Sequence, residues 1–240
     1  MPETMTPPSS AGPHPGLLSR VVGVLFSPRE TFAAVAARPK WLGALGVAVL
    51  IMGVAQYALL STDVGQQLAL DQQIAAIETF GGTVSDEQYA QMEDSMENAR
   101  YISPVATIFF APVMMLVTAG LLHVIFGLVG GGNGTFKQVY AISAHAAIIS
   151  SLQVVFTTVV TLAAGRPAGA NLSVFAPMLE ETSFVNRFLS TIDLFYVWST
   201  FITAVGLGVL YKRRTGPIAM VLFGIYLVIA LIIAFVRSGS

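Results

Sequence analysis

The sequence predicts an all-α membrane protein with five transmembrane helices. Of its 240 residues, 55% are hydrophobic and only 10% are charged, and the mean hydropathy is +0.73. Soluble domains carry about 25% charged residues, because their surfaces must face water. Five apolar segments, each about 20 residues or longer, can cross the hydrocarbon core of a bilayer. The composition and these five segments together predict an integral membrane protein.

Composition and motifs also exclude several classes of function. The net charge of −1 and the lack of a basic patch with interleaved aromatic residues argue against nucleic-acid binding. The sequence contains no cysteine, which excludes disulfides and thiolate metal sites. No Gly-x-Ser-x-Gly, His-Glu-x-x-His or phosphate-loop sequence is present. We therefore expect no enzymatic activity and no cofactor.

The N-terminal region predicts a tail followed by two short helices. Residues 1–16 contain four prolines and no apolar run, which is typical of a disordered tail. Residues 17–39 predict two amphipathic helices, the second with Ser27 as N-cap, Pro28 at its first position and Glu30 completing a capping box. Such arginine-rich helices either lie in the membrane interface or pack on the cytoplasmic ends of the bundle, and the sequence leaves both open.

A single membrane domain is expected over residues 40–238. Trp41 marks the membrane interface at the start of the first span. Ser103-Pro104 predicts the start of the second span, and Pro112 predicts a kink within it. Small residues that recur along several spans predict close helix packing. The five spans are expected at residues 41–60, 103–129, 136–164, 188–211 and 217–236.

The connections differ in charge and length. Residues 61–102 form a long loop with eight acids and one base, and predict two helices, the second with a capping box of Ser85 and Gln88. No Asp-x-Asp-x-Asp-Gly calcium loop is present, which favours a solvated acidic face. Gly130–Lys137 predicts the tight turn of a transmembrane hairpin, because a glycine cluster interrupts a helix.

The distribution of Lys and Arg predicts the orientation. With the N-terminus inside, the inner segments carry eight basic residues and the outer segments carry four. Cytoplasmic segments of membrane proteins carry the excess of Lys and Arg. The sequence therefore predicts N-in, C-out, with the acidic loop outside. The inner eight are Arg20, Arg29, Arg38, Lys40, Lys137, Lys212, Arg213 and Arg214.

Seven of these inner residues are candidates for contact with lipid or a partner. A basic residue near an anionic membrane surface contributes about 1 kcal/mol. Their role in fixing the topology explains them equally well. The seven candidates are Arg20, Arg29, Arg38, Lys40, Lys212, Arg213 and Arg214.

Polar residues within the spans give a second set of candidates. His123 and His145 lie on either side of the turn, each about 10–12 Å from the inner boundary at 1.5 Å per residue. They suggest a bis-histidine haem or metal site, or a proton relay. Two histidines alone make a poor metal site, which favours a purely structural role. Asp193 is expected to be either interfacial and solvated or a charge at a helix N-terminus.

Three features resemble those of a known family. They are the segment Arg20–Phe32 with its Leu-Phe-Ser-Pro-Arg-Glu sequence, the glycine turn followed by Thr-Phe-Lys-Gln, and five closely spaced apolar segments with a long first external loop. From about Leu17 to Val236 the chain resembles bacterial members of the Yip1 domain family. The resemblance implies a five-helix membrane domain with a cytosolic N-terminus. In eukaryotic relatives it also implies roles in vesicle traffic and contact with Rab-type GTPases. The short proline-rich tail of this chain is not an obvious GTPase-binding segment.

We expect a non-enzymatic scaffold or adaptor in the bacterial cytoplasmic membrane. It would act through the lipid bilayer and through membrane protein partners or other copies of itself. A small-solute or ion transporter or channel is the alternative, and would require a hydrated site at mid-membrane. A third hypothesis is a haem- or metal-binding membrane subunit that uses His123 and His145.

Overall fold

The computed structural model describes residues 15–79, 81–180 and 182–238, so most of the predicted tail lies outside the described residues. Within these ranges the chain is helical apart from its connections and one isolated β-bridge. The helices, in chain order, are α1 (Leu17–Phe26), α2 (Pro28–Ala37), α3 (Leu42–Leu60), α4 (Asp63–Thr79), α5 (Asp86–Leu122), a π-helix (His123–Val129), α6 (Phe136–Ala164), a 3-10 turn (Leu172–Phe175), α7 (Phe184–Thr191), α8 (Leu194–Leu210) and α9 (Thr215–Ser238).

Four of the described helices are long and apolar enough to cross a membrane. They are α3, α5 with the π-helix, α6 and α9, at 19, 44, 29 and 23 qualifying residues. Helix α8 is apolar but has 17 residues, so it is shorter than the about 20 that a spanning helix needs. An all-α membrane architecture is confirmed at this level.

The segment predicted as the second span belongs to a longer helix. It does not begin at Ser103, as the Ser-Pro pair predicted, but at Asp86, where Ser85 and Gln88 form the predicted capping box. The helix continues through Pro104 because α3 packs along it. Gly53 of α3 faces Pro104 at this point, since a Cβ on Gly53 would lie in van der Waals contact with Cβ of Pro104, at 3.6 Å. Tertiary packing thus outweighs the local preference of proline for a helix start.

The segment predicted as one fourth span is two helices, α7 and α8, which meet at Ile192-Asp193. The backbone there pairs with the preceding loop, where the N–H of Leu194 donates to Ala170 O at 2.9 Å. The Asp193 carboxylate accepts hydrogen bonds from the N–H groups of Phe195 (2.7 Å) and Tyr196 (3.3 Å). The prediction of a helix N-terminal charge is therefore confirmed, whereas the solvated alternative is wrong, because Asp193 is only 9% exposed.

Helices α1 and α2 pack against α6 and α8. Val24, Phe32 and Val35 are fully buried in a cluster with residues of those two helices. Pro28 opens α2 as predicted, but the capping box of Ser27 and Glu30 is not formed. The Ser27 N–H donates to Gly23 O at 2.8 Å instead, so it is not free to bond the Glu30 carboxylate.

Helix α6 is the centre of the bundle and runs antiparallel to α8. Residues near its start contact the end of α8, and Phe156 near its end lies 5.4 Å, centroid to centroid, from Phe195 at the start of α8. Trp41, which precedes α3, contacts Tyr140 at 5.2 Å. The bundle has a turn end, which contains residues 130–137, and a loop end, which contains α4 and residues 165–193.

Candidate functional site

The glycine turn is joined to a π-helix at the turn end. The N–H groups of Gly130 and Gly132 donate to the carbonyls of Ile125 (2.9 Å) and Gly127 (2.8 Å), five residues earlier in each case. Gly131 has a φ of 66°, in the left-handed region that glycine adopts at little cost. Short π-helices are frequent at functional sites. The widened last turn of this helix therefore makes the turn end the first place to look for function.

The ring of Tyr211 lies directly on the glycine turn. A Cβ on Gly132 would lie 2.6 Å from Cε1 of Tyr211, and a Cβ on Gly134 would lie 2.8 Å from the same atom. No side chain fits at such distances, so both positions require glycine for the ring to be seated. Tyr211 is only 9% exposed and belongs to the main apolar cluster. The turn thus serves as a socket for an aromatic side chain from the far end of α8.

His123 and Tyr211 place two buried polar atoms beside Gly127. A Cβ on Gly127 would lie 3.0 Å from Nδ1 of His123 and 3.2 Å from Oη of Tyr211. In the described chain neither atom has a hydrogen-bond partner, although both are inaccessible to solvent. A phenol donates and an unprotonated imidazole nitrogen accepts, so the two groups are complementary. His123 also contacts the ring of Phe136 edge to face, at 6.2 Å between centroids.

His145 lies elsewhere, on the part of α6 that is near α1. It is fully buried, and its Nδ1 lies 2.7 Å from Ala141 O. A carbonyl only accepts, so the proton of the neutral ring is assigned to Nδ1 and the Nε2 atom is left as an acceptor. Arg20 is close enough for its charge to act on this ring. Both His145 Nε2 and the buried Nε of Arg20 lack a hydrogen-bond partner among the described residues.

The two predicted histidines therefore have separate surroundings. His123 faces Phe136 and Tyr211, whereas His145 faces the helix α1 side of the bundle. No ring contact joins the two imidazoles in the described part of the chain. Within the same residues, no group of three or more His, Asp or Glu side chains is placed to hold a metal ion.

Most of the basic candidates are exposed around the turn end. Arg20 differs from the other six, because it is half-buried and directed into the bundle. Arg213 donates through its guanidinium to Gly130 O, which ties the connection after α8 to the glycine turn. Lys212 has a φ of 52°, so this connection turns sharply. The six exposed residues are Arg29, Arg38, Lys40, Lys212, Arg213 and Arg214.

Helix α1 exposes an apolar stripe, and the exposed Arg29 follows its last residue, Phe26, by three positions. Leu18, Val22 and Phe26 follow one another at a spacing of four residues and are 77%, 47% and 79% exposed. Residues four apart lie on one face of a helix. The opposite face carries Val24, which is fully buried. The docked hairpin of α1 and α2 therefore presents an apolar face outward.

Sequence reasoning missed Tyr211 and Gly127 as parts of this site. Gly127 is one of several glycines within an apolar segment, and Tyr211 reads as an ordinary aromatic residue at the end of a span. The only local signal was the density of glycine at positions 127, 130, 131, 132 and 134.

Comparison with known proteins identifies a family and a relative. A model of the Yip1 domain matches residues 22–237. The membrane protein YknW of Bacillus subtilis is 26% identical over 221 residues, which cover 90% of this chain and 90% of the relative. No solved structure matches the chain. The match to the family model covers most of the sequence, including α2 to α9, the glycine turn and Tyr211. The chain therefore belongs to the Yip1 domain family.

Proposed function

We propose that this integral membrane protein is a non-enzymatic scaffold or adaptor that acts at its turn end. One observation carries the proposal: a hairpin of two helices is fixed to the bundle and still exposes an apolar stripe, and the same hairpin and the residues just after it carry the exposed bases Arg29, Arg38 and Lys40. No catalytic motif is present in the sequence, and the relative from Bacillus subtilis is described only as a membrane protein.

Contacts with two other helices hold the hairpin in place, which suits it to present a surface. Phe32 of α2 packs against Gly206 of α8, where a Cβ would lie 3.2 Å from the ring. The amide of Gln138 at the start of α6 donates to Ala36 O at 2.8 Å. Anchors on both α6 and α8 fix the orientation of the stripe of Leu18, Val22 and Phe26. A preorganised surface loses less entropy when it binds.

The basic residues determine which partners this surface can bind. An amphipathic helix with basic neighbours binds the interface of an anionic membrane, or a partner that carries apolar and acidic residues. We propose that the stripe contacts a membrane protein partner or a second copy of the chain, while the basic residues face anionic lipid headgroups. These residues are Arg29, Arg38, Lys40, Lys212, Arg213 and Arg214.

We further propose that α8 makes a fifth crossing and that the turn end is cytoplasmic. Two contacts support the crossing, since α8 meets Phe156 of α6 at its start and Gly134 at its end. From Phe195 to Tyr211 the chain rises about 24 Å at 1.5 Å per residue, which is most of the ~30 Å hydrocarbon core. The excess of Lys and Arg at the turn end supports a cytoplasmic position for it.

The two other hypotheses receive less support from the described residues. A transporter needs a hydrated site at mid-membrane that opens to both sides, and toward the turn end the helices pack through an apolar cluster that includes Ala119, Ala144 and Leu207. A haem or metal subunit needs two or more ligands that converge, whereas His123 and His145 have different neighbours.

Site-specific photocrosslinking tests the scaffold proposal. A photoreactive phenylalanine analogue replaces Phe26 in the stripe, and in a matched control it replaces Phe109, which lies on α5 and is 67% exposed. We expect discrete protein adducts in native membranes from position 26 and only lipid adducts from position 109. The adduct yield from position 26 should fall when Arg29, Arg38 and Lys40 are all changed to Gln.

Equal adduct patterns from positions 26 and 109 would contradict the proposal, because the stripe would then behave as ordinary lipid-facing surface. An adduct yield that is unchanged in the triple Gln variant would show that these basic residues do not contribute to the proposed contact. Thermal unfolding of each purified variant verifies that the bundle remains folded.

A further inference from the structure

A crevice of about 550 Å³ lies at the loop end, away from the surface proposed above. Helices α3, α4, α5 and α6 line it, and residues 167–168 close one side. Its volume falls within the roughly 300–1,000 Å³ of small-molecule sites. The chain itself therefore leaves a ligand-sized space that begins at the predicted external loops and extends into the predicted membrane region.

The crevice changes character along its length. At the loop end its lining includes Ser103 and the hydrogen-bonded pair of Thr107 and Gln56, with 2.8 Å between hydroxyl and amide oxygens. Deeper along α5 the lining includes Phe110 and Met114. The polar and apolar parts thus follow one another from the loop end toward the middle of the bundle.

The length of the crevice matches one leaflet of a bilayer. Ser103 and Met114 are separated by about 16 Å at 1.5 Å per residue, which is close to half of the ~30 Å hydrocarbon core. Phe110 and Met114 are 68% and 60% exposed, so the deep part is open at its side. A chain lying in the bilayer can therefore enter sideways.

Electrostatics select against an anionic occupant. None of the described residues that line the crevice is charged. The adjoining helices α4 and α5 carry exposed acids, including Asp63, Asp71 and Glu97, and a single half-buried base, Arg100. Arg100 lies one turn before Ser103, and its single positive charge stands against eight acids on these two helices. An anionic headgroup at the mouth would therefore meet a net negative charge and would find no basic side chain in the lining itself.

We propose that this crevice binds an uncharged lipid with a hydroxyl-rich headgroup. The headgroup lies at the rim formed by Gln56, Ser103 and Thr107, where amide and hydroxyl groups offer both donors and acceptors. One acyl chain lies along α5 against Phe110 and Met114. The site discriminates against anionic lipids of the same chain length.

Lipid retention by the full-length protein tests this. The protein is reconstituted into vesicles with equal amounts of a glucosyl diacylglycerol and a phosphatidylglycerol that carry the same acyl chains. It is then extracted into mild detergent, and the lipids that remain bound are counted by native mass spectrometry. We expect the neutral lipid to be retained about tenfold over the anionic one, equivalent to roughly 1.4 kcal/mol of selectivity.

Two variants and one control assign the binding to the crevice. Ala106→Trp fills the crevice and should abolish the preference, whereas Ile108→Trp, on the same helix but not among the lining residues, should leave it intact. Thr107→Val keeps the shape, removes the hydroxyl that bonds Gln56, and should weaken the preference severalfold. Equal retention of both lipids by the wild type, or an undiminished preference in Ala106→Trp, would overturn the proposal.

Discussion

At the scale of single residues, the contact with Tyr211 explains why the turn needs glycine at two of its positions. A glycine cluster in a membrane turn is usually explained by backbone freedom, and Gly131 does use the left-handed region. Gly132 and Gly134 are needed for a different reason, because the Tyr211 ring occupies the space of their missing side chains. The contact joins the end of α8 to the link between the π-helix and α6.

Substitution of Gly132 should therefore be costly. In Gly132→Ala the new Cβ would meet both the Tyr211 ring and, at 2.7 Å, the backbone oxygen of Phe126. We expect a loss of about 1–3 kcal/mol of stability, as is typical of overpacked cores. Gly120→Ala is the control, since nothing lies within 4 Å of its Cβ position and alanine favours a helix. Thermal unfolding in one detergent compares the two, and equal midpoints would contradict the socket.

A double-mutant cycle isolates the contact between the turn and Tyr211. If the ring causes most of the penalty, Gly132→Ala should cost less in a Tyr211→Ala background than in the wild type. We expect a coupling of about 0.5–3 kcal/mol, the range found for residues in contact. Additive effects of the two substitutions would assign the penalty to the backbone of Phe126 alone.

Asp193 shows how one residue divides an element. An apolar run of the length predicted for the fourth span has no strong reason to break at this point. The carboxylate supplies one by accepting from two free N–H groups at the start of α8, while Ala170 pairs with the backbone beside it. Tyr226 of α9 adds a third contact, since the Asp193 N–H donates to its hydroxyl oxygen at 3.1 Å.

Removal of this cap should weaken α8 in a graded way. Asp193→Ala leaves two N–H groups without an acceptor and should cost about 1 kcal/mol, within the 0.5–2 kcal/mol measured for N-caps. Asp193→Asn keeps an acceptor oxygen and should retain most of the stability. Hydrogen exchange of the amides of Phe195 and Tyr196 provides the readout. Equal exchange rates in both variants would show that the cap has no role.

At the scale of the whole molecule, the two ends of the bundle differ in the residues that they carry. The turn end gathers the glycine socket, the docked hairpin and most of the basic residues. The loop end carries the acidic helices and the crevice. The number of crossings decides which parts of the chain share a side of the membrane.

Cysteine labelling tests the proposed topology, and the chain has no native cysteine to remove. Single cysteines at Gln91 and Arg166 mark the loop end, and single cysteines at Asn133 and Arg214 mark the turn end. In intact cells an impermeant maleimide should label the first two positions and reach the last two only after permeabilisation. Arg166 and Arg214 flank α7 and α8, so labelling of both from one side would mean that α8 does not cross.

Local chemistry made much of the fold predictable. The glycine turn, the start of α6 at Phe136 and the capping box of Ser85 and Gln88 depend on residues close in sequence, and all three are present. The start expected at Ser103 is wrong, because α3 supports a helix that continues through Pro104. The sequence placed His123 and His145 on their helices, but it did not predict which side chains they contact.

The sequence by itself determined a membrane protein, because so few charged residues cannot cover a soluble surface, and it determined the family through local motifs. Only the tertiary structure decided that Tyr211 sits on the glycine turn, that His123 and His145 face different partners, and that a crevice remains beside α5. The physical reason is the same in each case. Apolar periodicity and caps act over a few residues, whereas the fit of one helix against another depends on side-chain shapes that meet only after the bundle has assembled.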